Sequence, residues 1–239
     1  PVLVKTSQDY PVKKYYFEYH PSCDFRILSV VHKTEGIDIE VVWFDQRQRI
    51  YCPLPARRLA GNVVAAVAMA EFMGVGLDKC QAQLLKYLPG DKRLNFKRNE
   101  AGGVIIDDTY NANPLSMTAA LECGAETAAP GRYVAVLGDM LELGNLEREG
   151  HLEVGRRAAA CQVDILVAIG ERAAYIAAGA RAGGLPDNKV HHFLSKAEAL
   201  EFLNQLITPQ DKVLFKASRG MEMETLIAGL EEIPGRLEH

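Results

Sequence analysis

The stretch VIIDDTYNANP, Val104 to Pro114, passes from apolar residues into Asp107, Asp108, Tyr110, Asn111 and Asn113, then stops at a proline. Carboxylates at such a point can accept hydrogen bonds from ribose hydroxyls, and an asparagine amide can reach a phosphate or a peptide group. A second stretch, VLGDMLELG from Val136 to Gly144, also follows an apolar run; Gly138 admits a close backbone or ligand approach and Asp139 stands at the strand end. The third, KASRGMEME from Lys216 to Glu224, gathers Lys216, Ser218 and Arg219. These suit an anionic partner, because arginine grips a carboxylate or phosphate through two parallel hydrogen bonds. Each stretch has an architectural alternative. Asx side chains cap helices and turns, and Asn113-Pro114 is a favourable N-cap and N1 pair. Asn145 is a candidate cap for the helix after the second stretch, with His151 on that helix's face. For the third, basic charge at a helix N-terminus is unfavourable by ~0.3–1 kcal/mol unless an anion offsets it, which weighs against a merely solvated loop.

A parallel sheet would set such stretches side by side. Apolar runs at Val104–Ile106, Tyr133–Leu137, Ile165–Ile169, Val190–Phe193 and Val213–Phe215 alternate with helix-length segments. That rhythm predicts an α/β, Rossmann-like, mostly parallel sheet covered on both faces, where ligands bind beyond the carboxyl ends of the strands. Met223, Leu226, Ile227 and Leu230, at i, i+3, i+4 and i+7, predict the last helix. The polar segment from Pro89 to Gly103 predicts a boundary between a unit 1–91 and a unit 92–236, and residues 237–239 read as a tag remnant. In the first unit FRILSVVHK, IDIEVVWFD and RIYCPLP predict strands, with Ile37, Ile39, Val41 and Trp43 on the better-buried face. NVVAAVAMAEFMG predicts a helix buried between layers and stopped at Gly74, and Asp78 a cap for a helix built on Cys80, Leu84 and Leu88.

Composition narrows the function classes. A chain of 239 residues that is 48% hydrophobic can bury a real core, and a net charge of -4 with scattered basic residues offers no surface for counterion release from nucleic acid. No apolar run reaches the ~18 residues of a membrane span and the N-terminal stretch lacks a signal-peptide core, so the expected location is cytoplasmic. The 5 cysteines form no CxxC and the 6 histidines no HExxH, so neither a disulfide framework nor a metal site is expected. His191 and His192 should point to opposite faces of their strand. GxGxxG and Gly-Lys are both absent from the sequence, so neither a dinucleotide fingerprint nor a P-loop is present.

The motifs DDTYNANPLSM, LGDMLELG followed by HLEVG, and KASRGMEME, with LPARRLAGNVVAAVAMA upstream, resemble the Mur ligase family from about Phe17 to Leu230. They look most like the branch that adds D-alanyl-D-alanine to UDP-muramoyl tripeptide. The resemblance implies an ATP-dependent amide ligase that works with Mg²⁺ through an acyl phosphate. Residues up to about Asp91 would be the C-terminal part of a central ATPase domain and the remainder a Rossmann-like C-terminal domain. The P-loop half and the UDP-binding domain would be missing, leaving an inactive fragment whose partners are those N-terminal domains, the tripeptide and the dipeptide. Carried over residue by residue, Asp108, Tyr110, Asn111, Asn113, Asn62 and Arg93 would serve the nucleotide. Gly138, Asp139, Lys216, Ser218 and Arg219 would serve the amine substrate. The pattern departs at Ala56-Arg57-Arg58-Leu59, where the family reads Gly-Arg-His-Asn, and at Ala217 and Lys92, where it has glycine. Two alternatives stay open: a noncatalytic nucleotide- or metabolite-binding module, and a related amide ligase that takes another amine.

Overall fold

The computed structural model describes residues 14–33, 36–43, 45–54 and 56–231, so the expected tag remnant lies outside the described residues. The chain divides between Tyr87 and Leu88 into two units. The first holds a 4-stranded sheet of β1 (Phe17–Glu18), β2 (Phe25–Lys33), β3 (Gly36–Trp43) and β4 (Gln46–Cys52), in that order. Alternation along β3 buries Ile37, Ile39, Val41 and Trp43, as the period-two pattern predicts. Two helices accompany the sheet, α1 (Ala60–Phe72) and α2 (Leu77–Leu84). Helix α1 buries Val63, Val64, Val67 and Ala68, yet Met69 is 62% exposed, so among the described residues only one side of this apolar helix is covered. Asp78 is not the cap of α2. A left-handed Gly74 turns the chain early, Gly76 takes the N-cap, and Asp78 stands in the first turn, where its charge still favours the helix dipole. Leu88 lies beyond that helix and is exposed. The Gln81 amide accepts from the Tyr51 N–H (2.9 Å) and donates to the Tyr51 carbonyl (2.8 Å), standing in for a further strand at the edge of β4.

The second unit holds a 6-stranded sheet. Its elements are β5 (Asn95–Arg98), β6 (Val104–Asp107), α3 (Pro114–Glu126), β7 (Tyr133–Gly138), α4 (Glu147–Ala160), β8 (Ile165–Ile169), α5 (Ala173–Ala182), β9 (Val190–Phe193), α6 (Lys196–Leu206), β10 (Lys212–Lys216) and α7 (Glu224–Glu231). The strand order is β5-β6-β10-β7-β8-β9, with β5 antiparallel and the other pairings parallel. Every residue of β7 and β10 is buried, which is why β7 and the Val213–Phe215 centre of β10 read as apolar runs instead of alternating ones. One core, with Leu121, Val154 and Ile176, fills the face under α3, α4 and α5; the other, with Leu203, Leu226 and Leu230, fills the face under α6 and α7. The last strand inserts between β6 and β7, so the polar tips of all three become neighbours. On the edge strand β9, the His191 ring packs 4.4 Å from Phe202 while His192 Nε2 lies 2.8 Å from the Gly170 carbonyl, on opposite faces. Among the described residues no helix is long and apolar enough to cross a membrane.

Helices α4 and α5 touch backbone to backbone. A methyl group at Gly155 would overlap the Ile176 carbonyl oxygen, and one at Gly179 would overlap that of Leu152. Gly155→Ala should therefore destabilise the protein by at least ~1–3 kcal/mol, read as a lower urea midpoint with an unchanged slope. Below the amino ends of the strands, the Asp211 carboxylate accepts from the Arg132 N–H (2.9 Å), Nε (3.1 Å) and Nη2 (2.6 Å) and from the Thr208 N–H (2.8 Å). Burial opposes ionisation of Asp211, but these bonds outweigh it and hold the carboxyl below its ordinary value. A lowered folded-state value contributes stability above the unfolded value, about 4, and loses it as pH falls through the folded one. The stability difference between wild type and Asp211→Asn should be largest near neutrality and shrink below roughly pH 4 in urea unfolding at stepped pH.

Candidate functional site

The crevice is built from the tips of β6, β10 and β7. At the end of β6 Asp107 turns back on its own chain, accepting from the Thr109 N–H (3.2 Å) and hydroxyl (2.7 Å). Asp108 accepts from the Leu94 N–H (3.1 Å) and pairs with Lys216 Nζ at 2.7 Å. Lys216 closes β10 with its side chain 2% exposed, and donates in addition to the Asn111 carbonyl at 2.7 Å. Burial pushes the Asp108 carboxyl up against the pull of Lys216, and burial pushes the Lys216 amine down against the pull of Asp108. The ion pair is a buried strut between two strand tips, each charge held by the other against desolvation.

Ser218 makes the second join. Its Oγ accepts from the Leu141 N–H (2.8 Å) and its own N–H donates to the Asp139 carbonyl (3.0 Å). The Asp139 carboxylate points into the fold, accepting from the Ala173 N–H (2.7 Å) at the start of α5 with Arg172 3.7 Å away. Gly170, at φ 112°, leaves room for it, since a Cβ there would come 2.5 Å from Oδ1. Gly138 serves a similar end: a Cβ at that position would sit 2.7 Å from the Ala217 Cβ. Ala217, where the resemblance expects glycine, therefore fills the space that Gly138 leaves.

Around this interior lies an exposed rim. Tyr110 is 42% exposed, with the Arg93 guanidinium 4.1 Å and the Arg219 guanidinium 5.7 Å from its ring centroid. Arg219 is 58% exposed and its Nη1 lies 3.9 Å from Glu224. The Tyr110 N–H donates to the Lys92 carbonyl (3.0 Å), and Lys92 Nζ binds Glu224 at 2.7 Å. Burial opposes ionisation of Glu224, but the Lys92 hydrogen bond prevails and holds the carboxyl below its ordinary value. Lys92 adopts φ 57°, a left-handed conformation that glycine takes more easily, so lysine occupies a glycine-like position and ties it down with its side chain.

Of the residues predicted for the nucleotide, Asp108, Tyr110, Asn111, Asn113 and Arg93 gather here, while Asn62 stands exposed on α1 of the first unit. Asn113 is the N-cap of α3 in a reciprocal box with Ser116 (2.9 and 3.0 Å), and the Asn111 side-chain oxygen accepts from the Ala112 N–H (2.8 Å). One architectural expectation needs correction. Asn145 does not cap α4: left-handed Glu142 and Gly144 bring the chain into a 3₁₀ turn, and Leu146 takes the N-cap with no side-chain bond. His151 stands on a face of α4, and that face is the inward one: the ring is fully buried and accepts from the Met140 N–H at 2.9 Å. Leu94, which grips Asp108 through its backbone N–H, carried no signal in the sequence because every residue type but proline has that group. The arrangement can therefore hold an anion or a planar ring at the Arg93-Tyr110-Arg219 rim, over an interior whose polar groups are already engaged.

The family described as Mur ligase, glutamate ligase domain, matches residues 92–219. The chain is similar to the UDP-N-acetylmuramoyl-tripeptide--D-alanyl-D-alanine ligase of Bacillus subtilis, 31% identical over 211 residues, covering 88% of this chain and 46% of that protein. Its similarity to the ligase of the same name from Escherichia coli is 35% over 187 residues, covering 77% and 39%. Among solved structures it is similar to MurF from Acinetobacter baumannii, with TM-score 0.78 and 32% identity, covering 91% of this chain and 46% of that one. The chain thus spans about half the length, or less, of the relatives it matches.

Lys216→Met would leave the Asp108 carboxylate buried without its counter-ion, at an expected loss of about 3–5 kcal/mol. Lys216→Met combined with Asp108→Leu should lose markedly less. Urea midpoints of the single and double variants at neutral pH check this, and equal losses would remove the pair as the strut of the crevice.

Proposed function

Because this chain belongs to the Mur ligase family, we propose that it is part of an ATP-dependent amide ligase that joins D-alanyl-D-alanine to UDP-N-acetylmuramoyl-tripeptide through an acyl phosphate. The observation that carries this reading is the joining of the β6, β10 and β7 tips by Lys216 and Ser218 into one crevice rimmed by Arg93, Tyr110 and Arg219. The first unit, to about Asp91, is the C-terminal part of the central ATPase domain, and residues 92–236 are the C-terminal domain. Both work in the cytoplasm with the N-terminal domains of the same protein.

In this reading the residues fall into two groups. Arg219 with the Ser218 loop holds the dipeptide carboxylate, a two-pronged contact that an exposed guanidinium can make without disturbing the interior. Arg93, Tyr110 and Asn111 meet the nucleotide, whose base fits the open tyrosine face and whose phosphates fit the guanidinium groups. Asp108, Lys216, Asn113, Gly138 and Asp139 keep those groups in place. ATP, when bound, supplies the phosphoryl group that activates the substrate carboxylate. Among the described residues no three or more His, Cys, Asp and Glu side chains group as a metal site. Holding the amine in line with the activated carbonyl is the domain's contribution to rate.

A second reading is favoured by one departure, Arg58-Leu59 ahead of α1, where the family signature has His-Asn. A chain that had lost part of its nucleotide grip would be a noncatalytic binding module. The full-length protein assayed for ADP release decides between them. Release that requires ATP, the UDP-muramoyl tripeptide and the dipeptide together supports the ligase. Release with a different amine assigns another branch of the amide ligases, and micromolar ATP binding in calorimetry without any turnover assigns the binding module. In the ligase, Arg219→Ala is expected to raise the KM for the dipeptide roughly tenfold or more while leaving the KM for ATP nearly unchanged.

A further inference from the structure

His151 lies on α4 within the HLEVG motif, which has no part in the function proposed above. Its ring is fully buried between two backbone groups of fixed polarity: Nδ1 is 2.6 Å from the Glu147 carbonyl, and Nε2 is 2.9 Å from the Met140 N–H. A carbonyl oxygen only accepts and an amide only donates, so the imidazole carries its proton on Nδ1 and presents the Nε2 lone pair to the β7 loop.

The amide it holds belongs to the Asp139–Met140 peptide unit. The carbonyl of the same unit accepts the Ser218 N–H at 3.0 Å. Because a trans peptide is a rigid plane with N–H and C=O pointing in opposite directions, orienting one end orients the other. His151 grips one end and Ser218 the other. The next amide, Leu141 N–H, then meets Ser218 Oγ at 2.8 Å, so Ser218 is held at both its backbone and its side chain by the loop that His151 fixes. Hydrogen bonds in such a chain also polarise one another, which makes the loss of one felt at the next.

We infer that His151 is a positioning residue of the ligase: acting through the Asp139–Met140 peptide, it sets Ser218, and with it the adjoining Arg219, towards the amine substrate. The inference rests on the proposed function for its substrate but not for its geometry. Two variants in the full-length protein test it, His151→Phe, which has no acceptor, and His151→Gln, whose amide oxygen can accept from Met140. In ADP-release kinetics His151→Phe is expected to raise the KM for D-alanyl-D-alanine roughly tenfold while the KM for ATP moves by less than about twofold, and His151→Gln should recover most of the difference. Amide hydrogen exchange at Met140 and Ser218 should accelerate at least roughly tenfold in His151→Phe and return towards wild type in His151→Gln. An unchanged dipeptide KM in His151→Phe overturns the inference, as does an equal rise for every substrate. If wild type uses a different amine, the proposed substrate is wrong but the same split is read on that amine. If wild type has no turnover, exchange at Ser218 decides alone, and an unaltered rate in His151→Phe overturns the inference.

Discussion

A primary ammonium group buried at the end of a central strand must be surrounded by oxygen, and that requirement organises the crevice. Lys216 leaves β10 with its amine out of solvent, and its hydrogen-bond donors reach the Asp108 carboxylate and the Asn111 carbonyl. The two oxygens come from the loop after β6, so desolvation of one side chain dictates the path of a whole neighbouring loop. Ser218, two residues further on, then meets the loop after β7. Without the lysine, the loop after β6 would lose the donor that draws the Asp108 carboxylate and the Asn111 carbonyl together.

The crevice separates groups that hold shape from groups that face outward. Asp107, Asp108, Asp139 and Asn113 each have protein donors at hydrogen-bonding distance. Arg93, Tyr110 and Arg219 keep open surface, with both guanidinium groups close to the tyrosine ring. Such a division is what a binding site for a charged small molecule requires: the inner layer settles its own hydrogen bonds, and the outer layer has donors to spare. Glu224, shared by Lys92 and Arg219, keeps the positive rim from repelling itself apart.

The departures from the family pattern within this unit have local explanations. Alanine at 217 is accommodated because Gly138 across from it has no side chain. Lysine at 92 sits in a left-handed conformation at some cost, offset by its ion pair with Glu224 and by the Tyr110 N–H on its carbonyl. Neither change touches the Asp108–Lys216 and Ser218 contacts of the interior, and lysine at 92 adds the bond to Glu224. The change at Arg58-Leu59 belongs to the other unit, where those residues form the 3₁₀ turn before α1, and nothing in that turn explains it.

Much of this protein was legible in its residues because the relevant physics is local. Strands buried on both faces are apolar along their centres, so β6, β7, β8 and β10 announced themselves, and the spacing of Met223, Leu226, Ile227 and Leu230 announced α7. The Asn113-Pro114 cap was equally plain, since its partners lie within a turn. The caps at Asp78 and Asn145 were misplaced because left-handed residues upstream re-aimed the chain. What the linear order determined was which polar residues stand at strand ends. Which strand ends become neighbours was decided only in three dimensions, by the insertion of β10 between β6 and β7. The same holds for the turning of Asp139 towards α5 and the burial of His151 against Met140. Those outcomes depend on hydrogen bonds between groups far apart in the chain, made largely with backbone atoms that every residue type shares.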